Sequence, residues 1–280
     1  CIAGRTIHIA YTNTLAVLAG SFWALLYAKP HVWHVREIIQ KPKIVAVCFR
    51  WLARTLSTNV ICNSKETLTW ISGGNDKYKR NCMVWNGVDV PADIITDDQR
   101  AVAKEKIGFN AGYPLILMIG RVNAWKGQDL LMDAVDLMVE KKAEKFSLAI
   151  VGGPPPGRPE FIEELKVRVA CSPAAEMIKL VEFTNDVTAY YTAADILVVP
   201  SKEPEPFGRV AIEAMAHRLP VVAANHGGLK EIVVHQETGL LFTPNDTKQL
   251  TSALVTLISS LSLRSQMGYA GQKRQTQFFS

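Results

Sequence analysis

Hydrophobic residues along this chain fall in short runs that alternate with stretches repeating every three to four residues, almost from end to end. Short apolar runs predict buried strands, and a 3.6-residue period predicts amphipathic helices. Their alternation predicts βαβ units around parallel sheets. In the first part the pattern predicts strands at 7–11, 32–35, 59–63 and 82–85, with helices at 15–28, 44–55 and 65–72. From Leu115 onward the alternation is cleaner. Strands are predicted there at 115–119, 147–151, 178–181, 196–199, 221–223 and 240–242. Helices are predicted at 127–141, 159–170, 187–193, 206–217, 229–234, 246–261 and 264–279. Six strands with helices between them suffice for a complete doubly wound domain. Between the two parts, a polar stretch from Asn86-Gly87-Val88-Asp89 to Pro114 holds one short helix, at 97–106. The expectation is a partial first domain over 1–92, a linker over 93–112 and a second domain over 113–280.

Composition narrows the class. A chain of 280 residues has room for two domains, and 48% hydrophobic against 20% charged residues excludes disorder. The 18 glycines and 14 prolines exclude collagen-like and low-complexity chains. Lys and Arg number 31 against 26 Asp and Glu, a net charge of +5. That balance suits phosphate-bearing ligands or peripheral contact with an anionic membrane, and equally plain solubility; it is too small to argue for nucleic acid. The cysteines (Cys1, Cys48, Cys62, Cys82 and Cys171) are odd in number and contain no Cys-x-x-Cys pair. This argues against a disulfide framework or a zinc site and for a reducing compartment. The longest apolar run, Leu15 to Ala28, is too short to span a bilayer and ends at Lys29-Pro30. No secretory leader is visible, and the chain starts at Cys1 without an initiator Met. The expected location is cytoplasmic, including the face of a membrane.

Several phosphate motifs are missing. Gly120-Arg121 to Lys126-Gly127 places Lys before Gly and lacks the Ser or Thr of a Walker loop. Val151 to Gly157 echoes a dinucleotide turn, yet Pro154, Pro155 and Pro156 carry no N–H to cradle a pyrophosphate. A nicotinamide dehydrogenase fits poorly. No Asp-x-Asp pair is present to hold a divalent metal against a nucleotide sugar.

Two constellations remain. Gly120-Arg121-Val-Asn-Ala-Trp-Lys126-Gly127 runs from the end of a predicted strand into a helix, where open α/β sheets bind ligands. Arg121 as a fork and Lys126 as a point charge suit a diphosphate. The plainer alternative is a solvated loop with two surface cations. The second is Pro200-Ser201-Lys-Glu-Pro-Glu205-Pro206-Phe207-Gly208-Arg209-Val-Ala-Ile-Glu213-Ala-Met-Ala216. Pro206 suits the first helical position, and Phe207, Val210, Ala211, Ala214 and Met215 form an inward apolar stripe. The leading N–H groups of Phe207, Gly208 and Arg209 would form an anion site between Glu205, at the helix start, and Glu213, off the stripe. Acidic residues flanking a phosphate cradle make sense where both accept hydrogen bonds from sugar hydroxyls. The plainer alternative is a dipole-favoured Glu plus an Arg209–Glu213 surface pair, each worth ~0.3–1 kcal/mol.

The string VPSKEPEPFGRVAIEAMAHRLPVVAANHGGLKEIV, from Val199 to Val233, resembles the donor-binding signature of the retaining GT-B glycosyltransferases of family 4. Glu205 and Glu213 match that family's Glu-x7-Glu pair. GRVNAWKGQDLL at 120–131, NGVD at 86–89 and ETGLLFTPND at 237–246 match further, and Trp33 to Ile38 resembles the segment carrying the family's active-site His, here His34. The resemblance implies two Rossmann-like doubly wound domains facing across a cleft, the N-terminal, acceptor-side one incomplete. It implies transfer of a sugar from a nucleoside-diphosphate sugar to a carbohydrate or lipid-linked hydroxyl, with retention, in polysaccharide or glycolipid synthesis. No metal or cofactor is implied beyond the nucleotide-sugar substrate. Gly120, Arg121, Lys126, Phe207, Gly208, Arg209 and Val210 would line the donor, with Glu213 on the ribose, Glu205 on the hexose and Glu182-Phe183-Thr184 at the base. His34, Arg121, Lys126 and Glu205 would be the catalytic set.

Departures from the family are visible too. Members carry a glycine-rich loop and roughly a hundred further residues ahead of the strand at Ile7, and usually end in a helix crossing back to the first domain. This implies an N-terminally truncated chain. Arg218 stands where the motif often has Gly, and a left-handed conformation there costs about 1 kcal/mol. His34 has a plainer alternative as a packed strand residue, and His31 and His34, at odd separation, point to opposite faces and cannot share a metal. Two rival readings share the same cleft: a GT-B nucleotide-sugar epimerase, and a non-catalytic nucleotide-sugar-binding fragment.

Overall fold

A computed structural model describes residues 6–73, 81–91, 95–184 and 186–280; Cys1 and the expected linker's first residues, Asp93 and Ile94, lie outside these. The chain divides into two compact units, Cys1–Asn86 with Pro204–Phe207, and Gly87–Glu203 with Gly208–Ser280.

The first unit contains β1 (Ala10–Thr12), α1 (Ala19–Leu26), β2 (His31–Val35), α2 (Lys43–Leu56), β3 (Asn59–Cys62), α3 (Lys65–Ser72) and β4 (Asn81–Met83). Its described strands form a parallel sheet in the order β1-β2-β3-β4, wound in one direction only. Period-two alternation buries His31, Trp33 and Val35 on one face of β2, and the core gathers these last two with Leu15, Ala53, Val60, Cys62 and Ile71. Burial pushes the Cys62 thiol up to about 12, so it packs as an inert apolar group. Ser64 caps α3 by accepting from Thr67 N at 3.0 Å.

The first two predicted elements are shorter than their apolar runs. The strand predicted at 7–11 covers only Ala10–Thr12, and the helix predicted from residue 15 begins at Ala19. For the helix the cause is Glu37, whose carboxylate accepts from Thr14 Oγ1 at 2.5 Å and Leu15 N at 3.2 Å. Trp33 Nε1 donates to Thr14 O at 2.7 Å. These bonds commit residues 14 and 15 to a loop.

The second unit contains α4 (Asp97–Lys106), β5 (Leu115–Ile119), α5 (Gln128–Glu140), β6 (Ser147–Val151), α6 (Glu160–Ala170), β7 (Ile178–Val181), α7 (Thr188–Ala193) and β8 (Ile196–Val199). It continues with α8 (Arg209–Ala216), β9 (Val221–Ala224), α9 (Leu229–Ile232), β10 (Gly239–Phe242), α10 (Thr247–Ile258) and α11 (Leu261–Phe278). The parallel sheet runs β10-β9-β8-β5-β6-β7, so the winding reverses between β5 and β8. Such a reversal opens a crevice at the carboxyl ends of those strands. Continuous burial of β6, β8 and β9 explains their unbroken apolar runs.

The expected linker is corrected by the packing of α4 within the second unit. Arg100 donates to the carbonyls of Thr192 and Ala194 at the end of α7. Lys104 Nζ pairs with Asp195 Oδ2 at 2.7 Å and donates to Tyr113 O at 3.0 Å. The boundary falls at Asn86, ahead of that helix. At its far end, α11 returns to the boundary: Val88 N donates to Phe279 O at 2.8 Å, and Gln275 Nε2 donates to Val88 O at 2.7 Å. Arg218 is left-handed, with φ of 58°, the conformation its place in the motif implied; its Nε donates to Gln272 on α11 at 2.7 Å. Among the described residues, no helix is long and apolar enough to cross a membrane.

Candidate functional site

The carboxyl ends of β5, β6 and β8 meet in bare backbone. A Cβ on Gly152 would overlap the Gly120 carbonyl, and one on Gly127, whose φ is 81°, would overlap the Pro200 carbonyl. Only glycine lets these strand ends and the β5–α5 loop approach so closely. Asn123 organises that loop, its Oδ1 accepting from Lys126 N at 3.0 Å and Trp125 N at 3.3 Å. Gln128 Nε2 donates to Arg121 O at 2.9 Å, and Lys202 N to Trp125 O at 2.7 Å. The loop is therefore tied to α5 on one side and to the end of β8 on the other.

Within it the Lys126 side chain crosses the end of β5: a Cβ on Gly120 would lie 3.7 Å from its Cδ. Its Nζ sits 4.5 Å from the centre of the Trp125 ring. Lys126 thus packs over Gly120, while Arg121, next in the chain, is exposed. Phe183 stands beside Gly153 at the end of β6, 77% exposed. Glu182 beside it is exposed as well, and Thr184 is half-buried.

The start of α8 differs from the sequence pattern. Gly208, left-handed at φ of 105°, is the N-cap, so Pro206 is not the first helical residue and Glu205 lies in the preceding loop. The physical reason is contact: a Cβ on Gly208 would meet the Leu229 side chain. Ala211 N already donates to Gly208 O at 2.9 Å, which leaves Arg209 and Val210 as the leading N–H groups in place of the expected Phe207, Gly208 and Arg209.

Glu213 lies one turn further along, off the apolar stripe as expected. Its Oε1 pairs with Arg209 Nε at 2.7 Å, and its Oε2 accepts from Tyr191 OH at 2.7 Å. Glu213, Arg209 and Tyr191 line a cavity of about 560 Å³ with Gly87, Asp89 and Thr188. That volume lies in the range of small-molecule sites. Tyr191 was missed by the sequence pattern, where it reads as one more core aromatic; only its phenol oxygen, invisible to periodicity, has a polar task.

The remaining residues fall with the first unit. Glu205 is buried at 5% exposure and Phe207 at 3%. Their segment is fixed to the start of α3, Pro206 O accepting from Ser64 Oγ at 2.5 Å and Thr67 Oγ1 at 3.3 Å. His34 Nδ1 is bonded to Tyr11 OH at 2.6 Å, while His31 Nε2 meets Thr12 Oγ1 at 2.9 Å. The two imidazoles take opposite faces of β2. Burial, aided by the charge of Arg36, holds His34 below its ordinary value and so neutral.

Residues 99–274 match the model of the family described as glycosyl transferases group 1. A D-inositol 3-phosphate glycosyltransferase of Jonesia denitrificans is 34% identical over 200 residues, which cover 69% of this chain and 46% of that protein. The chain spans about half the length of such curated relatives. Among solved structures, HepE of Anabaena in complex with UDP-glucose is 25% identical, with a TM-score of 0.88 over 98% of this chain and 75% of that one. Sucrose-phosphate synthase of Thermosynechococcus elongatus, 23% identical, gives 0.82 over the whole of this chain and 71% of its own. With the two parallel sheets, these likenesses carry the GT-B fold class.

Proposed function

Because the chain belongs to the glycosyl transferases group 1 family, we propose that it binds a nucleoside-diphosphate sugar and serves transfer of the sugar to an acceptor hydroxyl with retention. The observation that carries this reading is the Lys126 side chain lying across Gly120 at the end of β5, beside Arg121, where the sheet reverses. A lysine over bare backbone and an arginine one residue past the strand end, at a switch point, suit a diphosphate. Glu213, on the cavity wall, takes ribose hydroxyls, Glu205 the hexose, and the Glu182–Thr184 segment the base.

In this reading the bond from the anomeric carbon to the diphosphate oxygen breaks while the acceptor oxygen bonds to the same face of that carbon. The acceptor's proton passes to the departing phosphate. Arg121 and Lys126 stabilise the negative charge gathering on that phosphate, which is electrostatic catalysis aimed at the leaving group. Glu213, with Oε2 held by Tyr191, is assigned to the ribose, and front-face attack needs no protein carboxylate as nucleophile. No metal is required by this scheme. The acceptor is a carbohydrate or lipid-linked hydroxyl of polysaccharide or glycolipid synthesis, the latter met in peripheral contact with a membrane.

HepE was solved with UDP-glucose, so a UDP-sugar is the first donor to try. Calorimetric titration of this chain with UDP-, GDP- and ADP-sugars tests the reading. Saturable binding of one, competed by its bare nucleoside diphosphate, is expected; absence of binding by all three overturns it.

A further inference from the structure

We infer that Tyr191 is a positioning residue for Glu213, holding one carboxylate oxygen so that the other is presented to ligand hydroxyls. The inference rests on the ribose reading of Glu213 given above. The two partners of this carboxylate are physically unlike. Tyr191 is 2% exposed and donates to Oε2 from inside the unit. Arg209, on Oε1, is 66% exposed in its side chain and belongs to a single-helix i, i+4 pair of the weak, solvent-screened kind. A ligand hydroxyl can therefore replace Arg209 at little cost, whereas releasing the phenol would leave a buried donor unmet. Tyr191 is the fixed partner and Arg209 the exchangeable one.

Tyr191 is itself held. Its ring stacks on His217, centroids 5.1 Å apart and planes at 24°. The His217 ring is anchored by Nδ1 donating to Glu213 O at 2.9 Å. That carbonyl can only accept, so Nδ1 carries the hydrogen. The phenol on the Glu213 carboxylate, the imidazole on the Glu213 backbone carbonyl and the ring stack between them thus tie α7 to α8, the helix that carries Glu213. Burial, reinforced by the Glu213 charge, raises the Tyr191 phenol well above its ordinary range, so it stays a donor at every working pH.

The test measures affinity for UDP and for 2′,3′-dideoxy-UDP, which lacks the hydroxyls in question. Expected in the unaltered protein is preference for UDP. Tyr191→Phe should weaken UDP about ten-fold, as loss of a hydrogen bond to a charged group does, and leave dideoxy-UDP within two-fold. In a Glu213→Ala background, Tyr191→Phe should leave the UDP to dideoxy-UDP ratio unchanged. Equal weakening of both nucleotides by Tyr191→Phe, or no change in either, overturns the positioning role. An unaltered protein that binds UDP but fails to prefer it over dideoxy-UDP overturns the ribose reading, and the inference with it. Should Tyr191→Phe fail to fold, the Glu213→Ala ratio still decides that reading, and Tyr191→His, which keeps a ring donor, serves in its place with partial retention of the preference expected and its complete loss overturning the role.

Discussion

Lys126 packs over Gly120 at the end of β5, its Cδ and Cε each 3.7 Å from where a Cβ on residue 120 would stand. Arg121→Ala and Lys126→Ala should each weaken nucleoside-diphosphate binding by about 1.5–3 kcal/mol, the worth of a hydrogen bond to a charged group. Affinity should fall with added salt. Calorimetry at two ionic strengths checks both; unchanged affinity in both variants would falsify the diphosphate assignment.

The two glutamates should separate by ligand. Glu213→Gln is expected to weaken bare nucleoside diphosphate and complete donor alike, by ~1–3 kcal/mol. Glu205→Gln should leave the bare nucleotide nearly unaffected and weaken only the nucleotide sugar. Titrating each variant with both ligands decides, and equal loss of the bare nucleotide in both variants would end the division of roles.

Asp195 does two jobs from one oxygen, pairing with Lys104 at 2.7 Å and accepting from Leu115 N at 2.6 Å. Lys104 and Asp195 side chains are only 7% and 11% exposed. Removing one member leaves a buried charge unmet, so Lys104→Met or Asp195→Asn should each cost about 3–5 kcal/mol. The double variant should recover part of that loss. Urea unfolding of the three proteins measures it, and strict additivity would show that the pair is not coupled.

His217 gives a pH signature. Burial, the largest influence, holds its pKa in the folded chain below the ordinary 6.5, so the folded state binds fewer protons than the unfolded one in that window. Its contribution to stability is complete above about 6.5 and shrinks as pH falls from there to the depressed folded value. His31 and His34 are shifted the same way by burial. Unfolding free energy should therefore fall between pH 7.5 and 5, and His217→Asn should flatten that slope. An identical slope in the variant would remove His217 from the account.

The second unit was legible because its central strands are buried on both faces, and a five-residue run such as Leu115 to Ile119, short and bounded by Pro and Gly, reads as a buried strand. The Arg121–Lys126 loop was legible for a related reason: glycines flank it where backbones touch. What periodicity could not show were tasks carried by long or polar side chains. The α4 helix reads as polar linker because its anchors are Arg100 and Lys104, whose charged ends reach backbone carbonyls. Pro206 imitates a helix start, but Gly208, left-handed and packed under Leu229 where a Cβ would not fit, puts the true start at Arg209. Glu37 shortens α1 from a strand away, through contacts at a sequence separation no local pattern encodes.

The clasp between Val88 and the end of α11 joins groups 187 residues apart, with Gln275 wholly buried at the joint. Closing so long a loop carries a large entropy cost that local contacts must first offset. The second unit therefore completes itself late: on a ribosome, its opening residues wait for its last helix to emerge. Until then Val88 lacks its partners, and the cavity that Gly87 and Asp89 help to wall has no finished side. Synthesis order is thus written into the site, which closes only when nearly all of its own unit has been made.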